Sequence, residues 1–263
     1  MPFIERDGIQ IRWDAQGEGT PVLLVMGHRY SSAMWYSILP ALSARHRVIR
    51  FDNRGTGQSG TSRKITVETM ADDAVAVMDA AGVDKAHIFG VSMGGVIVED
   101  IALRHATRVH SLIVGCSGML TADKPRTNAV IRLLYWLPPF VLKLLMPRRA
   151  NNGYGSAASA DAIARDMAVL EKDPYTTRGV LAQAEAMSHY RTTKEAIAGL
   201  TMPSLVLHGD EDATVPFKWG EELAAALPNS RFVRVPGAGH NFFIAGGDTV
   251  NRAVLDFIAQ VDG

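Results

Sequence analysis

An α/β fold with a mostly parallel central sheet flanked by helices is predicted by three observations: short continuously apolar runs, amphipathic helical stretches between them, and the return of that alternation after a long helical interruption. The runs are Val22-Leu23-Leu24-Val25-Met26, Val48-Ile49-Arg50-Phe51, Ala86-His87-Ile88-Phe89-Gly90-Val91, Ser111-Leu112-Ile113-Val114 and Ser204-Leu205-Val206-Leu207-His208. Strands buried on both faces look like this, because neither face is left for polar residues. Strands alternating with helices imply right-handed crossovers onto one sheet.

The first segment instead alternates with period two. Phe3-Ile4-Glu5-Arg6, a turn at Asp7-Gly8 and Ile9-Gln10-Ile11-Arg12-Trp13 predict an antiparallel hairpin at a sheet edge. The clearest helix is predicted over 66–81, with Val67, Met70, Ala71, Ala74, Met78 and Ala81 on one face, Thr66 as N-cap and Gly82 as the stop. After Val91, the periodic Val96, Ile97, Ile101 and Leu103 predict another helix. From 118 to 200 the alternation ceases, and breakers at Pro138-Pro139, Asn151-Asn152-Gly153 and Asp173-Pro174 divide the stretch into helices. Strand-like runs resume at Met202. The expected organisation is a core of residues 1–117 and 201–263 with a helical cap, 118–200, inserted between two strands. The last helix is expected to take Asp248 as N-cap and to bury Val250, Ala253, Val254, Phe257, Ile258 and Val261.

The 263 residues suit one large domain or a core plus an insertion, and 47% hydrophobic with 21% charged residues can build a sizeable core. Lys+Arg 27 against Asp+Glu 27, with no basic run interleaved with aromatics, makes nucleic acid an improbable partner. The single cysteine, Cys116, excludes an internal disulfide and is expected to act as a small buried hydrophobe. His46, His87, His105, His110, His189 and His208 stand singly without metal-ligand spacing, so no metal is expected. Charges at Glu5, Arg6 and Asp7 disfavour a signal peptide. The apolar stretch 129–146 is broken by Arg132, Lys143 and the proline pair, so no membrane span is expected and a cytoplasmic location fits.

Chemistry enters at Gly90-Val91-Ser92-Met93-Gly94, a G-x-S-x-G pattern between a predicted strand and a predicted helix. Such a turn leaves no room for side chains at its flanks, and it holds the serine hydroxyl exposed at a helix N-terminus. A serine needs a base, and the base needs a carboxylate to fix its tautomer. Asp212 follows the strand ending at His208, with Asp210 and Glu211 as rivals, and His240 follows the run Phe232-Val233-Arg234-Val235. Both sit at carboxyl ends of predicted strands, where open α/β sheets bind ligands.

In these residues the sequence resembles the serine hydrolases of the α/β-hydrolase fold, over the whole chain except the cap. Phe51-Asp52-Asn53-Arg54-Gly55-Thr56-Gly57-Gln58-Ser59 is similar to the family's D-x-R-G-x-G-x-S loop. That loop is expected to be structural, with Asp52 and Arg54 satisfying backbone groups near the serine turn. The resemblance favours Asp212 as the acid. It also implies an oxyanion hole from the backbone N–H groups of Met93 and His28, although Met26-Gly27-His28 stands where the family usually has His-Gly-x.

The resemblance implies hydrolysis of a carboxylic ester or lactone of a small to medium hydrophobic substrate, through Ser92, His240 and Asp212 and an acyl-enzyme, without a cofactor. His28, Tyr135, Trp136, Phe140, Met146 and Phe242 are expected around the substrate, and Trp35, at the start of the helix after the oxyanion loop, is expected in the core in preference to a place as substrate platform. Carbon–carbon bond hydrolysis and cofactor-free perhydrolysis or haloperoxidation use the same triad, but Asn241 and Phe242 follow His240 where carbon–carbon hydrolases often carry tryptophan. The rival of another class is a small-molecule receptor with vestigial hydrolase activity.

Overall fold

The computed structural model describes residues 2–62, 64–124 and 153–263. Eight strands among them form one sheet: β1 (Phe3–Arg6), β2 (Ile9–Gln16), β3 (Pro21–Val25), β4 (Arg47–Phe51), β5 (Ala86–Val91), β6 (Val109–Gly115), β7 (Ser204–Gly209) and β8 (Ser230–Val235). Their order across the sheet is β1-β2-β4-β3-β5-β6-β7-β8. The hairpin pairs antiparallel with itself and with β4, and every other pairing is parallel. The described helices are α1 (Leu39–Ser43), α2 (Val67–Ala80), α3 (Met93–Arg104), α4 (Ala160–Lys172), α5 (Thr177–His189), α6 (Lys194–Ala198), α7 (Phe217–Ala226), α8 (Phe242–Ala245) and α9 (Gly247–Asp262).

The apolar runs are buried on both faces, as predicted. Successive side chains of a strand point to opposite faces. On β3, Leu23 and Val25 therefore enter one core, with α2 and α3, while Val22 and Leu24 enter the other, with α1 and α9. The outermost strand β8 keeps exposed and half-buried positions along most of its length.

Helix ends follow local chemistry. The Thr66 hydroxyl accepts from the Thr69 N–H at 3.1 Å, and the Thr66 N–H donates to the Thr69 hydroxyl at 3.0 Å, a reciprocal cap that fixes the start of α2. The expectation for Asp248 is corrected: Gly246 occupies the cap position, and Asp248 lies in the first turn of α9. A carboxylate there complements the exposed N–H groups of the helix start without capping them.

The 52–58 loop is a hub of buried polar contacts. Asp52 Oδ1 accepts from the Ser32 N–H at 2.9 Å, and its Oδ2 accepts from the Gln58 N–H at 2.9 Å. Arg54 behaves differently from the expectation. Its guanidinium goes to side chains, reaching Asp73 of α2 at 2.7 Å and Asp7 of the hairpin turn at 2.8 Å. A guanidinium with almost no exposed surface needs charged acceptors, and α2 supplies one that is equally buried. Asp73→Ala is expected to destabilise the fold by about 3–5 kcal/mol, since it removes the buried partner of Arg54 and leaves the guanidinium only the exposed Asp7. Urea unfolding measures this, and a loss below ~1 kcal/mol would refute the assigned partnership.

Candidate active site

The chain passes from β3 outward to β4 and then crosses back to β5, so the crevice between β3 and β5 is where strand order reverses. Ligands of open α/β sheets gather at the carboxyl ends beside such a reversal. Ser92 follows the last residue of β5, and His28 lies three residues beyond β3.

Ser92 has φ 55° and ψ −121°, a region that side-chain-bearing residues rarely occupy. The turn around it is compressed. A Cβ on Gly90 would sit 2.1 Å from the Gly94 carbonyl oxygen, and one on Gly94 would sit 2.0 Å from that of Val25. Both neighbours are backbone and cannot move aside, which is why G-x-S-x-G requires its glycines. Ser92 then stands as the N-cap of α3 with a half-buried hydroxyl.

His240 Nε2 lies 3.0 Å from Ser92 Oγ, and its Nδ1 lies 2.7 Å from Asp212 Oδ2. β8 is three strands away from β5, so the histidine loop has to fold back over the ends of the intervening strands. It lies directly on them: a Cβ on Gly209 would come within 2.3 Å of the Ala238 oxygen, and one on Gly115 within 2.6 Å of the Phe242 ring. The chain before α4 braces this loop from above, with Tyr154 and Gly153 carbonyls accepting from the Gly239 and Asn241 N–H groups at 2.9 and 2.7 Å.

Three neighbouring acids compete for the imidazole in sequence, and their surroundings separate them. Asp210 accepts from Arg234 and the Gly237 N–H, and Glu211 from Ser156. Asp212 faces His240. Its Oδ1 accepts from the Thr214 and Val215 N–H groups at 2.8 and 2.9 Å. Burial alone would raise this carboxyl, but hydrogen bonds from His208 and His240 outweigh it and hold the group well below the usual carboxylate range. Asp212 is thus a fixed anion beneath the imidazole.

His208, one of the histidines that stand singly without metal-ligand spacing, is a member of this cluster. It is fully buried, its Nε2 lies 3.0 Å from the Val215 carbonyl and 3.3 Å from Asp212 Oδ2, and its Nδ1 has no partner among the described residues. A carbonyl only accepts, so Nε2 carries the proton and points it at the acid as well. Its place four residues before Asp212, at the end of β7, is the signal that was available.

The remaining expected residues divide. Met93 follows Ser92 at the start of α3, and its N–H is one of the orphan donors of a helix start. The His28 ring reaches the Val180 carbonyl of α5, at 2.8 Å, and its burial favours the neutral ring. Phe242 is corrected and Trp35 takes its place in the core: both are fully buried, Trp35 against Phe89 with ring centroids 5.1 Å apart and Phe242 against Phe243 at 5.3 Å, so neither presents surface to a ligand. Tyr135, Trp136, Phe140 and Met146 lie outside the described residues. Cys116, Asp212 and His240 place ligand-type atoms within 4.8 Å of one another. Burial raises the Cys116 thiol well above its ordinary range, and Asp212 is already engaged by four donors, so a cation would have to displace the internal hydrogen bonds. No described helix is long and apolar enough to cross a membrane.

A serine hydroxyl, an imidazole and an anionic carboxylate in hydrogen-bonded series, beside two candidate backbone donors, can carry out acyl transfer. The family model for the alpha/beta hydrolase fold matches residues 20–246. The chain belongs to that family. Among its relatives in the alpha/beta hydrolase family is RutD of Azorhizobium caulinodans, named as a carbamate hydrolase, 30% identical over the full length of both chains. BpoC of Mycobacterium tuberculosis, named as a non-heme bromoperoxidase, is 29% identical and covers 96% of this chain and 99% of its own. The solved structure of a thermophilic esterase from Thermogutta terrifontis superposes with a TM-score of 0.82 at 28% identity, covering 98% and 97% of the two chains.

Proposed function

We propose that the protein hydrolyses a carboxylic ester or lactone of a small to medium hydrophobic substrate by way of an acyl-enzyme on Ser92. The continuous hydrogen bonding from Ser92 Oγ through His240 to Asp212 carries this reading. His240 Nε2 takes the serine proton as Oγ forms a bond to the carbonyl carbon, and Asp212 steadies the imidazolium. The carbonyl oxygen becomes an oxyanion held by the Met93 and His28 N–H groups, each worth on the order of 3 kcal/mol to the transition state. Collapse expels the alcohol, which receives the proton from His240. Water then repeats the cycle on the acyl-enzyme with the same base and releases the acid. The stretch 118–200, of which α4, α5 and α6 are described, serves in this reading as the cap over the acyl group, and no step calls for a cofactor.

The likeness to RutD extends the panel of acyl substrates to carbamates, whose carbonyl is open to the same attack. The likeness to BpoC supports a second reading, in which hydrogen peroxide replaces water in the deacylation step and a peracid leaves. Aryl esters, methyl esters, lactones and carbamates assayed with wild type and Ser92→Ala side by side, with and without peroxide, separate these. Multiple turnover by the wild type alone is expected, together with one fluorophosphonate adduct by mass that Ser92→Ala lacks. Equal labelling of the two proteins removes Ser92 from its role, and a single burst with retained product favours the receptor reading.

A further inference from the structure

Beyond β3 the chain must leave the sheet, turn sharply and present a backbone N–H to the crevice. Its own sequence does little to hold that shape, since Arg29 sits at φ 78°, in the left-handed region that favours glycine. The ends of the segment are fastened by the core: Asn53 donates to the Met26 carbonyl at 2.8 Å, and Asp52 accepts from the Ser32 N–H. The middle is fastened by α5. Val180 accepts from the His28 ring, and one turn on, Gln183 Oε1 accepts from the Arg29 N–H at 3.0 Å.

Gln183 has no exposed surface, and its Nε2 donates to the Arg54 carbonyl at 2.8 Å. A backbone N–H can only donate and a carbonyl can only accept, so the amide fits in one orientation and both bonds form together. The same helix is seated backbone to backbone on the 52–58 loop, where a Cβ on Gly179 would lie 2.2 Å from the Gly55 oxygen. Gln183 therefore ties the peptide that follows His28 to a part of the core already anchored through Asp52 and Arg54.

We propose that Gln183 is a positioning residue for the oxyanion hole, setting the His28 N–H through the Arg29 peptide, so that α5 is a working part of the acyl-transfer site and not a detachable cover. The inference rests on the reading of Ser92 as nucleophile and the His28 amide as oxyanion donor. A donor that is displaced, not deleted, should cost roughly 10–100-fold in rate, below the 10²–10³-fold of a lost donor.

The test uses a trifluoromethyl ketone bearing the acyl group of the best ester substrate. Ser92 Oγ adds to its carbonyl carbon, the serine proton passes to His240, and the carbonyl oxygen becomes the anion that the hole must hold. Gln183→Met keeps the length of the side chain without its polar atoms. Its kcat and its affinity for the ketone are expected to fall together, roughly 10–100-fold, with KM within about twofold of wild type. Gln183→Asn, one methylene too short to span both partners, is expected to shift both quantities in the same direction and serves if the first variant does not fold. A folded variant that loses only thermal stability, with kcat and ketone affinity within about twofold of wild type, overturns the proposal. Equal ketone affinity in wild type and Ser92→Ala instead overturns the nucleophile assignment, and the inference falls with it.

Discussion

Asp212→Asn is expected to lower kcat by about 10⁴-fold while leaving the protein folded. The carboxylate accepts from His240 Nδ1 through Oδ2, and from the Thr214 and Val215 N–H groups through Oδ1. Those two N–H groups would hold the amide oxygen of asparagine in place of Oδ1, leaving the NH₂ to face the imidazole. An NH₂ cannot accept, so Nδ1 must lose its proton and Nε2 must keep one. The ring would then donate to Ser92 where it has to accept. His208 Nε2, also aimed at Oδ2, would lose its second acceptor but keep the Val215 carbonyl. Steady-state kinetics on an aryl ester, with circular dichroism to verify the fold, measures the effect. A folded variant within about tenfold of wild type would remove Asp212 from the triad.

The second large effect concerns stability. Glu99, on the helix that follows Ser92, has no exposed surface, and neither carboxylate oxygen has a hydrogen-bond partner among the described residues. Burial pushes its carboxyl up from 4.5 to about 8. Between those values the folded protein holds a proton that the unfolded chain has released. Stability therefore falls as pH rises across this window, and the loss is complete above the folded value. Glu99→Gln, which has no charge to acquire, is expected to match wild type near pH 5 and to exceed it near pH 8 by on the order of 4 kcal/mol. Urea unfolding at the two pH values tests it, and a difference that does not grow with pH would contradict the buried acid. Above pH 8 the wild type is expected to resemble a protein carrying an unpaired internal charge.

Elements whose causes are local were legible in the sequence. The strands β3 to β7 could be read because burial on both faces leaves a continuous apolar run, and α2 because its cap and stripe lie within one stretch of chain. The Asp248 cap failed for a similar reason in reverse. A serviceable capping residue is visible in sequence, but which residue takes the cap depends on where the preceding turn ends, and here Gly246 arrives first. Arg54 was misplaced because its partners, Asp7 and Asp73, lie on a hairpin turn and a helix that only the folded sheet brings together. Phe242 was expected beside the substrate, but an aromatic ring two residues after the histidine is equally able to turn down into the core, and this one does.

The sequence by itself determined the fold class, the strained serine turn and the identity of three candidate groups, since glycine spacing and apolar runs act over a few residues. Tertiary structure alone decided how the two neighbouring acids are engaged, that His208 joins Asp212, and that α5 reaches the segment after β3. Those outcomes depend on which strands are neighbours and on loops folding back across their ends. A hydrogen bond between residues more than 150 positions apart, as between Arg29 and Gln183, leaves no periodic trace in the chain.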